Sequence, residues 1–282
     1  MSIRIITVLG AGTMGHGIAH AALAGGYDTR LYDVAADAVE RGRAAIGSIV
    51  SKGVELGKVR AADAEAMLGR LTATTDLGAA LAGTDFVIEA APERIDVKIA
   101  LLGDVDRHAP EHAIVATNTS ALSITEMAGS TSRPGRVAGM HFFNPVHKMK
   151  LIEIVQALES APATLQAIEE VARRMGKETV LVRESPGFIT TRVNASIGNE
   201  AFYMLMEGVA SARDIDKALK LGLNHPMGPF ELGDLVGLDT RLSILEYLHR
   251  TMGEKYRPCP LLTQYVKAGR LGKKTGRGVY EY

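Results

Sequence analysis

Short apolar runs alternate with stretches of helical periodicity over the first two thirds of the chain. Runs of this length that are rich in Val, Ile and Leu are typical of buried strands. The predicted strands cover residues 3–9, 29–33, 85–91, 113–118, 136–143, 151–156 and 178–183. The predicted helices cover residues 14–25, 35–69 (one long helix, or a helical pair with a turn near 53–57), 94–107 and 162–175. This alternation predicts a mostly parallel sheet covered by helices on both faces.

The strand pattern stops after RESPGF, residues 183–188, and only helical periodicity follows. Pro186 and Gly187 mark the change. We therefore expect an α/β domain over residues 1–184 and an all-helical domain over residues 185–282. The helical part carries wide apolar faces in SIGNEAFYMLMEG and RLSILEYLHRTMG. A domain of that size would struggle to bury both faces alone, which predicts association through the second domain.

The composition restricts the partners and the cellular compartment expected for the protein. Lys and Arg total 32 and so do Asp and Glu, which argues against nucleic acid or an anionic membrane as partner. No apolar run approaches the roughly 18 to 20 residues that a membrane span needs. The single cysteine, Cys259, excludes an intrachain disulfide and favours a reducing compartment. Residues 3–9 are interpreted as a first strand rather than a signal peptide, so a cytoplasmic location is expected.

A glycine-rich turn follows the first predicted strand. Gly10, Gly12 and Gly15 fit G-x-G-x-x-G at the start of a helix, and Asp33 ends the second strand 18 residues after Gly15. Together they form the fingerprint of a Rossmann-type dinucleotide site, where backbone approaches a pyrophosphate and the acid accepts from a ribose. Thr13 and Met14 lie within the same turn and are expected beside the cofactor. The alternative is that the glycines only make a tight turn.

Asp33 also bears on which cofactor binds. A carboxylate at this position repels a 2′-phosphate, and no arginine follows it immediately, so the sequence favours NAD over NADP. Arg41 and Arg43, a little downstream, leave this choice open.

An alcohol-oxidising NAD enzyme needs a base for the hydroxyl proton, and histidine suits that task. His16 and His20 are four residues apart, as are His108 and His112, but neither pair has a convincing third ligand. We therefore expect these four histidines to be solvated or packed against the protein, and no metal site is predicted.

His141 differs from the other histidines because it ends a predicted strand at the edge where a nicotinamide would lie. Glu153, in KLIEIVQ, has apolar neighbours that predict burial, so its carboxylate needs a partner. An imidazole on the neighbouring strand is the nearest candidate. Such a pair would orient the ring and stabilise the imidazolium, as the acid does in a hydrolase triad. A satisfied core histidine is the alternative.

The stretch TNTSALSIT supplies further polar groups at a strand end. Ser123 with Glu126 fits a capping box, which gives Ser123 a structural role. Asn118 and Ser120 precede that cap and are expected at the cofactor and substrate edge, where the serine hydroxyl could bond the substrate oxygen. A turn that is merely rich in polar residues is the alternative.

Taken together, these stretches closely resemble the L-3-hydroxyacyl-CoA dehydrogenase family over nearly the whole chain. The matching segments are GAGTMGHGIA, TNTSALSIT, GMHFFNPVHKMKLIEIV, SPGFITTR, NHPMGPFELGDLVGLD and GKKTGRGVYEY. The resemblance implies reversible NAD-linked oxidation of an (S)-3-hydroxyacyl-CoA, 3-hydroxybutyryl-CoA being the expected substrate, by a homodimer. It implies His141 as the base, Glu153 as its orienting partner and Ser120 as the group that bonds the substrate 3-oxygen.

The resemblance also implies contacts for residues that the pattern alone does not single out. It implies that Asp33 contacts the adenosine ribose, and that Glu93, Lys98, Asn144 and Lys274 lie nearer the nicotinamide half, with Asn144 also near substrate. Lys52 falls where the family uses a lysine toward the CoA moiety.

One position departs from the family pattern. The family commonly has an asparagine that contacts substrate where SPGFITTR places Thr191. Either the Thr191 hydroxyl takes over that contact, or Asn194 one turn further on does. The sequence leaves two other functions open: oxidation of a free hydroxy acid, such as a sugar acid, and non-catalytic NAD binding on the same fold.

Overall fold

A computed structural model describes residues 3–282, and the chain divides into two compact units after Glu184. The strands are β1 Ile5–Leu9, β2 Asp28–Tyr32, β3 Leu71–Thr74, β4 Phe86–Glu89, β5 Ile114–Thr117, β6 Val137–Phe142, β7 Leu151–Gln156 and β8 Glu178–Arg183. The helices are α1 Thr13–Ala24, α2 Ala36–Glu55, α3 Ala61–Leu68, α4 Leu77–Leu81, α5 Ile95–His108, α6 Ile124–Gly129, α7 Pro162–Arg174, α8 Thr190–Met206, α9 Ala212–Gly222, α10 Pro229–Val236, α11 Leu238–Met252 and α12 Pro260–Lys267.

The first unit is built on one sheet with the order β3-β2-β1-β4-β5-β6-β7-β8. Strands β1 to β6 are mutually parallel, and the order reverses between β1 and β4. The central strands are buried on both faces, as the β-branched sequences IITVL and FVIE require. This is the doubly wound arrangement in which ligands bind beyond the carboxyl ends of the strands at the reversal. The predicted Rossmann-type domain followed by a helical one is confirmed.

The pairing of β7 differs from the parallel arrangement that alternation predicts. β7 runs antiparallel to β6, and β8 is parallel to β7. The cause is the short connection over residues 143–150, because a parallel crossover needs about a dozen residues or more. The antiparallel pairing puts His141 directly opposite Glu153.

Two short elements were not predicted, namely β3 and α4, whereas the capping box of Ser123 and Glu126 marks the start of α6. The sequence of β3, LTAT, contains one large apolar residue and none of its four positions is fully buried, so it carries no strand signal. The region 35–69 is the helical pair rather than one helix. It turns after Glu55, and Gly57 adopts a φ of 66° that favours glycine.

The second unit has a helical core of its own. Phe202 of α8 and Phe230 of α10 meet edge to face with ring centroids 5.2 Å apart. The last residues of the chain are held by buried Asp234, whose two oxygens accept from the backbone N–H groups of Val279 and Tyr280 at 2.9 and 2.8 Å. The predicted all-helical second domain is confirmed.

Candidate active site

The glycine-rich turn lies between β1 and α1, against the loop that follows β4. A Cβ added to Gly15 would sit 1.7 Å from the carbonyl oxygen of Gly10, so the helix can approach the turn only with glycine there. A Cβ added to Gly10 would sit 2.6 Å from Ala90 O, and Gly10 has a φ of 104°. In contrast, a Cβ on Gly12 would meet nothing within 4 Å. The turn is closed toward the sheet and open at Gly12, as a pyrophosphate cradle requires.

Asp33 follows β2 and is tied to this turn. Its Oδ2 accepts from the backbone N–H of Ala11 at 2.9 Å, and its Oδ1 accepts from that of Ala35 at 3.1 Å. Each carboxylate oxygen has a second lone pair, so both oxygens can still accept from ribose hydroxyls. The half-buried, fixed carboxylate and the open Gly12 fit an adenine dinucleotide without a 2′-phosphate. Thr13 and Met14 lie in the first turn of α1, exposed and half-buried respectively.

His141 and Glu153 form a buried pair across β6 and β7. His141 Nδ1 lies 2.7 Å from Glu153 Oε2, and the side chains are 8% and 0% exposed. A carboxylate can only accept, so Nδ1–H donates and Nε2 becomes the accepting nitrogen of the ring. The imidazole also packs on Phe143, with ring centroids 4.6 Å apart. The geometry gives a histidine with a fixed tautomer at the carboxyl end of β6, where a general base would stand.

Asn118 and Ser120 follow β5 and are held by different partners. Asn118 Oδ1 accepts from the backbone N–H of Phe142 at 2.8 Å, so this amide ties the end of β5 to the residue after His141. The Ser120 backbone N–H and hydroxyl both donate to Glu93 Oε1, at 2.7 and 3.0 Å. Ser120 is therefore oriented by Glu93. Ser123 caps α6 by accepting from Glu126 N at 3.2 Å, the structural role expected of it.

Lys98 is a buried side chain of α5. It is 1% exposed, and its Nζ donates to Glu89 Oε1 and Oε2 at 2.8 and 2.9 Å and to Ala91 O at 3.2 Å. Glu93 Oε2 is 3.4 Å from the same nitrogen. Sequence reasoning missed Glu89. The signal was available in DFVIEAA, where an acid ends an apolar strand just as Glu153 interrupts one.

The other predicted residues lie on separate elements, two in the first unit and two in the second. Asn144 is exposed in the loop after β6, and Lys52 is exposed on α2 in an ion pair with Glu55 at 2.8 Å. In the second unit, Lys274 Nζ lies 2.6 Å from Asp239 Oδ2, and Thr191 is half-buried in the first turn of α8.

The remaining histidines on α1 pack against the protein. His16 Nδ1 lies 2.9 Å from Gly12 O. Burial, with a smaller contribution from nearby His147, Lys177 and His16, lowers the pKa of His20 to about 4. Over residues 3–282, no group of three or more His, Cys, Asp or Glu side chains is arranged to hold a metal. In the same range, no helix is both long and apolar enough to cross a membrane.

The fold is a doubly wound sheet. The site combines a glycine turn open at Gly12, a fixed acid after β2 and a buried His–Glu pair. Together these features define an NAD-dependent oxidoreductase. The comparisons agree with this class. Residues 5–185 match the NAD binding domain of 3-hydroxyacyl-CoA dehydrogenase, and residues 187–282 match the C-terminal domain of that enzyme. The chain belongs to the 3-hydroxyacyl-CoA dehydrogenase family, and its cofactor is NAD.

Individual relatives match over the full length of the chain. A Bacillus subtilis protein described as a "Probable 3-hydroxybutyryl-CoA dehydrogenase" is 46% identical and covers 100% of this chain and 98% of the relative. The crystal structure of (S)-3-hydroxybutyryl-CoA dehydrogenase from Ralstonia eutropha has 43% identity and a TM-score of 0.96, covering 100% of this chain and 99% of that one. A dehydrogenase of 5-formyl-3-hydroxy-2-methylpyridine 4-carboxylic acid has 32% identity and a TM-score of 0.82, with 100% and 91% coverage.

Proposed function

We propose that the protein interconverts (S)-3-hydroxyacyl-CoA and 3-oxoacyl-CoA, with 3-hydroxybutyryl-CoA and acetoacetyl-CoA as the preferred pair. The observation that carries the proposal is the buried contact of 2.7 Å between His141 Nδ1 and Glu153 Oε2. It supplies an oriented base at the strand edge where a dinucleotide site of this fold places its nicotinamide half. The full-length similarity to 3-hydroxybutyryl-CoA dehydrogenases supports the substrate class.

In the oxidation direction, His141 Nε2 takes the proton of the 3-hydroxyl group while Glu153 stabilises the imidazolium that forms. The Ser120 hydroxyl would turn its single proton from Glu93 Oε1 to the 3-oxygen, while the Ser120 backbone N–H keeps its bond to Glu93. Bound NAD supplies the acceptor for the hydride that leaves C3. In the reverse direction the imidazolium returns its proton to the alkoxide, and Ser120 polarises the carbonyl.

The remaining residues are assigned to binding. Asp33 and the turn Gly10–Gly15 would hold the adenosine and pyrophosphate, and Asn118 would hold the end of β5 in place beside His141. Asn144 and Lys274 are assigned to the nicotinamide half and substrate, Lys52 to the CoA moiety, and Thr191 (or Asn194) to the place of the family's asparagine. The first domain, 1–184, then binds NAD, and the second, 185–282, serves substrate binding and dimerisation in a cytoplasmic enzyme.

The homodimer is part of the proposal, and the surface of the second unit supports it. Val209, Leu221 and Leu223 are 63%, 77% and 66% exposed, apolar surface that a partner chain would cover. Sedimentation should give the mass of two chains at micromolar concentration, and a monomer there would contradict this part of the proposal.

The enzymatic test is consumption of NADH with acetoacetyl-CoA, followed by a kcat/KM series over acyl-CoA substrates of increasing chain length. We expect turnover, a preference for the four-carbon substrate and discrimination against NADPH. Absence of turnover with every 3-oxoacyl-CoA, in protein that binds NADH, would reject the proposed function.

A second candidate is a dehydrogenase of a small carboxylic acid that carries no CoA. The observation in its favour is the 32% identical relative whose substrate is a pyridine carboxylic acid. The same His141–Glu153 pair would serve that chemistry, because the base only takes the proton of the reacting hydroxyl group. Saturation by a free 3-hydroxy acid at lower concentration than by its CoA thioester would favour this candidate.

A further inference from the structure

Three charged side chains meet near the carboxyl ends of β4 and β5. Glu89, the last residue of β4, is 0% exposed and holds the Lys98 ammonium with both carboxylate oxygens, at 2.8 and 2.9 Å. Glu93 lies 3.4 Å from the same ammonium and is 41% exposed. Two carboxylates and one ammonium leave a formal net charge of −1 in this group, which we call the Glu89 cluster.

The surroundings fix the Glu89 cluster rather than neutralise it. Glu89 Oε1 accepts from the backbone N–H of Ala91 at 2.6 Å, and Oε2 accepts from the Thr117 hydroxyl at 2.5 Å. Both donors are neutral, so they hold the carboxylate in place without adding positive charge. Glu93 Oε1 is likewise held by neutral donors, the hydroxyl of Thr119 at 2.7 Å and the two groups of Ser120.

The two carboxylates of the Glu89 cluster differ in how closely they contact Lys98. A buried ammonium is costly unless paired, and Glu89 meets that need with two short contacts, whereas Glu93 makes one contact of 3.4 Å. Lys98 is therefore engaged mainly by Glu89, and most of the charge of Glu93 remains available at the half-exposed end of the group. That end carries the hydrogen bonds to Ser120.

In a doubly wound sheet the second strand group, here β4 to β6, lies beneath the nicotinamide half of the dinucleotide. The oxidised nicotinamide ring is a cation and the reduced ring is neutral. A net negative charge at this edge attracts the first and is indifferent to the second. We propose that Glu89 is a positioning residue that keeps the Glu89 cluster net negative and so raises the affinity for NAD⁺ relative to NADH.

The inference rests on the proposed function in placing the nicotinamide half at this edge, and its test uses cofactor binding without substrate. The dissociation constants of NAD⁺ and NADH are measured by calorimetry and by NADH fluorescence, and their ratio is the readout. Glu89→Gln makes the cluster neutral, and we expect the ratio Kd(NAD⁺)/Kd(NADH) to rise about tenfold. Glu126→Gln, which removes one exposed carboxylate from α6, is the matched control and should leave the ratio unchanged.

A double variant separates charge from structure. Glu89→Gln with Lys98→Met removes one charge of each sign, so the cluster again carries −1 and the ratio should return to within about twofold of wild type. A merely structural Glu89 would weaken NAD⁺ and NADH binding equally, and an unchanged ratio in Glu89→Gln would overturn the proposal. A ratio in the double variant as high as in Glu89→Gln would overturn it as well.

A second variant and a separate turnover assay distinguish the remaining outcomes. Where Glu89→Gln does not fold, Glu93→Gln removes the same charge from the half-exposed end and should shift the ratio in the same direction; an unshifted ratio in that variant rejects the proposal. Turnover with acetoacetyl-CoA is assayed separately. Its absence would reject the proposed function while the binding ratio still tests the cluster, and normal turnover with an unshifted ratio would reject the cluster alone.

Discussion

His141 and Glu153 face each other as a register pair of the antiparallel strands β6 and β7, with Nδ1 and Oε2 2.7 Å apart. Their neighbours on both strands are buried aliphatic and aromatic residues, so water does not compete strongly for the carboxylate. In such surroundings a hydrogen bond to an ionised group is strong, and one partner left alone is costly. The pair thus has the geometry of a catalytic dyad. The hydrogen bond to His141 also makes the burial of the Glu153 carboxylate possible.

The first prediction concerns this pair. His141→Ala should lower kcat by about a hundredfold to ten-thousandfold, the usual contribution of a positioned base. Glu153→Gln should lower kcat by about tenfold or more, because the amide cannot stabilise the imidazolium. The KM for NADH should change little in both, since neither side chain belongs to the cofactor's phosphate or adenosine sites. Stopped-flow or steady-state turnover with acetoacetyl-CoA gives these values.

Glu159→Gln is the control, because this exposed acid lies just beyond β7 and has the same charge. We expect wild-type kcat from it. A folded His141→Ala protein that binds NADH and turns over at the wild-type rate would remove His141 from its assigned role.

Much of this arrangement could be predicted from the sequence because burial of an acid is a strong constraint. The aliphatic neighbours of Glu153 required a partner, and the structure supplies His141. The same rule applied to Glu89 in DFVIEAA would have found the second buried acid and its need for a cation. The resemblance singled out Lys98 rather than Glu89, and Lys98 is 1% exposed with its ammonium held by Glu89 and Glu93.

Other features could not be predicted because their signal lies outside the local pattern. β3 is specified by its pairing with β2 and not by the apolar content of LTAT. The direction of β7 follows from the length of the connection after β6, which strand composition does not report. The hydrogen bond from Phe142 N to Asn118 Oδ1 joins two strand ends that only the sheet order brings together.

The second prediction concerns cofactor choice. Asp33→Ser should lower kcat/KM for NADH by about tenfold to hundredfold, the effect of losing a hydrogen-bonded charge, and should raise the relative use of NADPH. The reason is that the carboxylate, fixed by Ala11 N and Ala35 N, both accepts from the ribose and repels a 2′-phosphate. Parallel kinetics with the two reduced cofactors measures the change.

Asp28→Ser is the matched control, since Asp28 is exposed at the opposite end of the same strand. It should keep the cofactor preference of the wild type. If Asp28→Ser and Asp33→Ser shifted that preference equally, a general charge effect would explain the result and a role for Asp33 at the ribose would not.

The third prediction separates two glycines of one turn. Gly15→Ala should lower the melting temperature and the stability by about 1–3 kcal/mol, because its Cβ would lie 1.7 Å from Gly10 O and the turn must shift. Gly12→Ala should leave the melting temperature of the cofactor-free protein close to wild type, because its Cβ meets nothing within 4 Å. It should nevertheless weaken NADH binding about tenfold or more, since the methyl group occupies the open side of the turn.

Thermal unfolding without cofactor and NADH fluorescence titration measure the two effects independently. Equal loss of stability in both variants would contradict the distinction. Unchanged NADH affinity in Gly12→Ala would show that the open side of the turn does not face the cofactor.

The last prediction concerns acid stability. Burial lowers the pKa of His20 to about 4, and its Nδ1 has no hydrogen-bond partner among residues 3–282. The unfolded chain binds the proton near its ordinary pKa of about 6.5, so unfolding takes up a proton between pH 6.5 and 4. Stability from this group is therefore lost as pH falls through that window and is fully present above it. The loss amounts to at most about 3 kcal/mol.

His20→Gln replaces the imidazole with a neutral side chain that does not titrate. Urea unfolding of both proteins at a series of pH values isolates the contribution of His20, because the difference in unfolding free energy cancels the other titrating groups. We expect this difference to change in favour of the variant as pH falls from 6.5 to 4, and to be constant above pH 7. Parallel curves across the whole range would mean that His20 takes up its proton equally in the folded and unfolded chains.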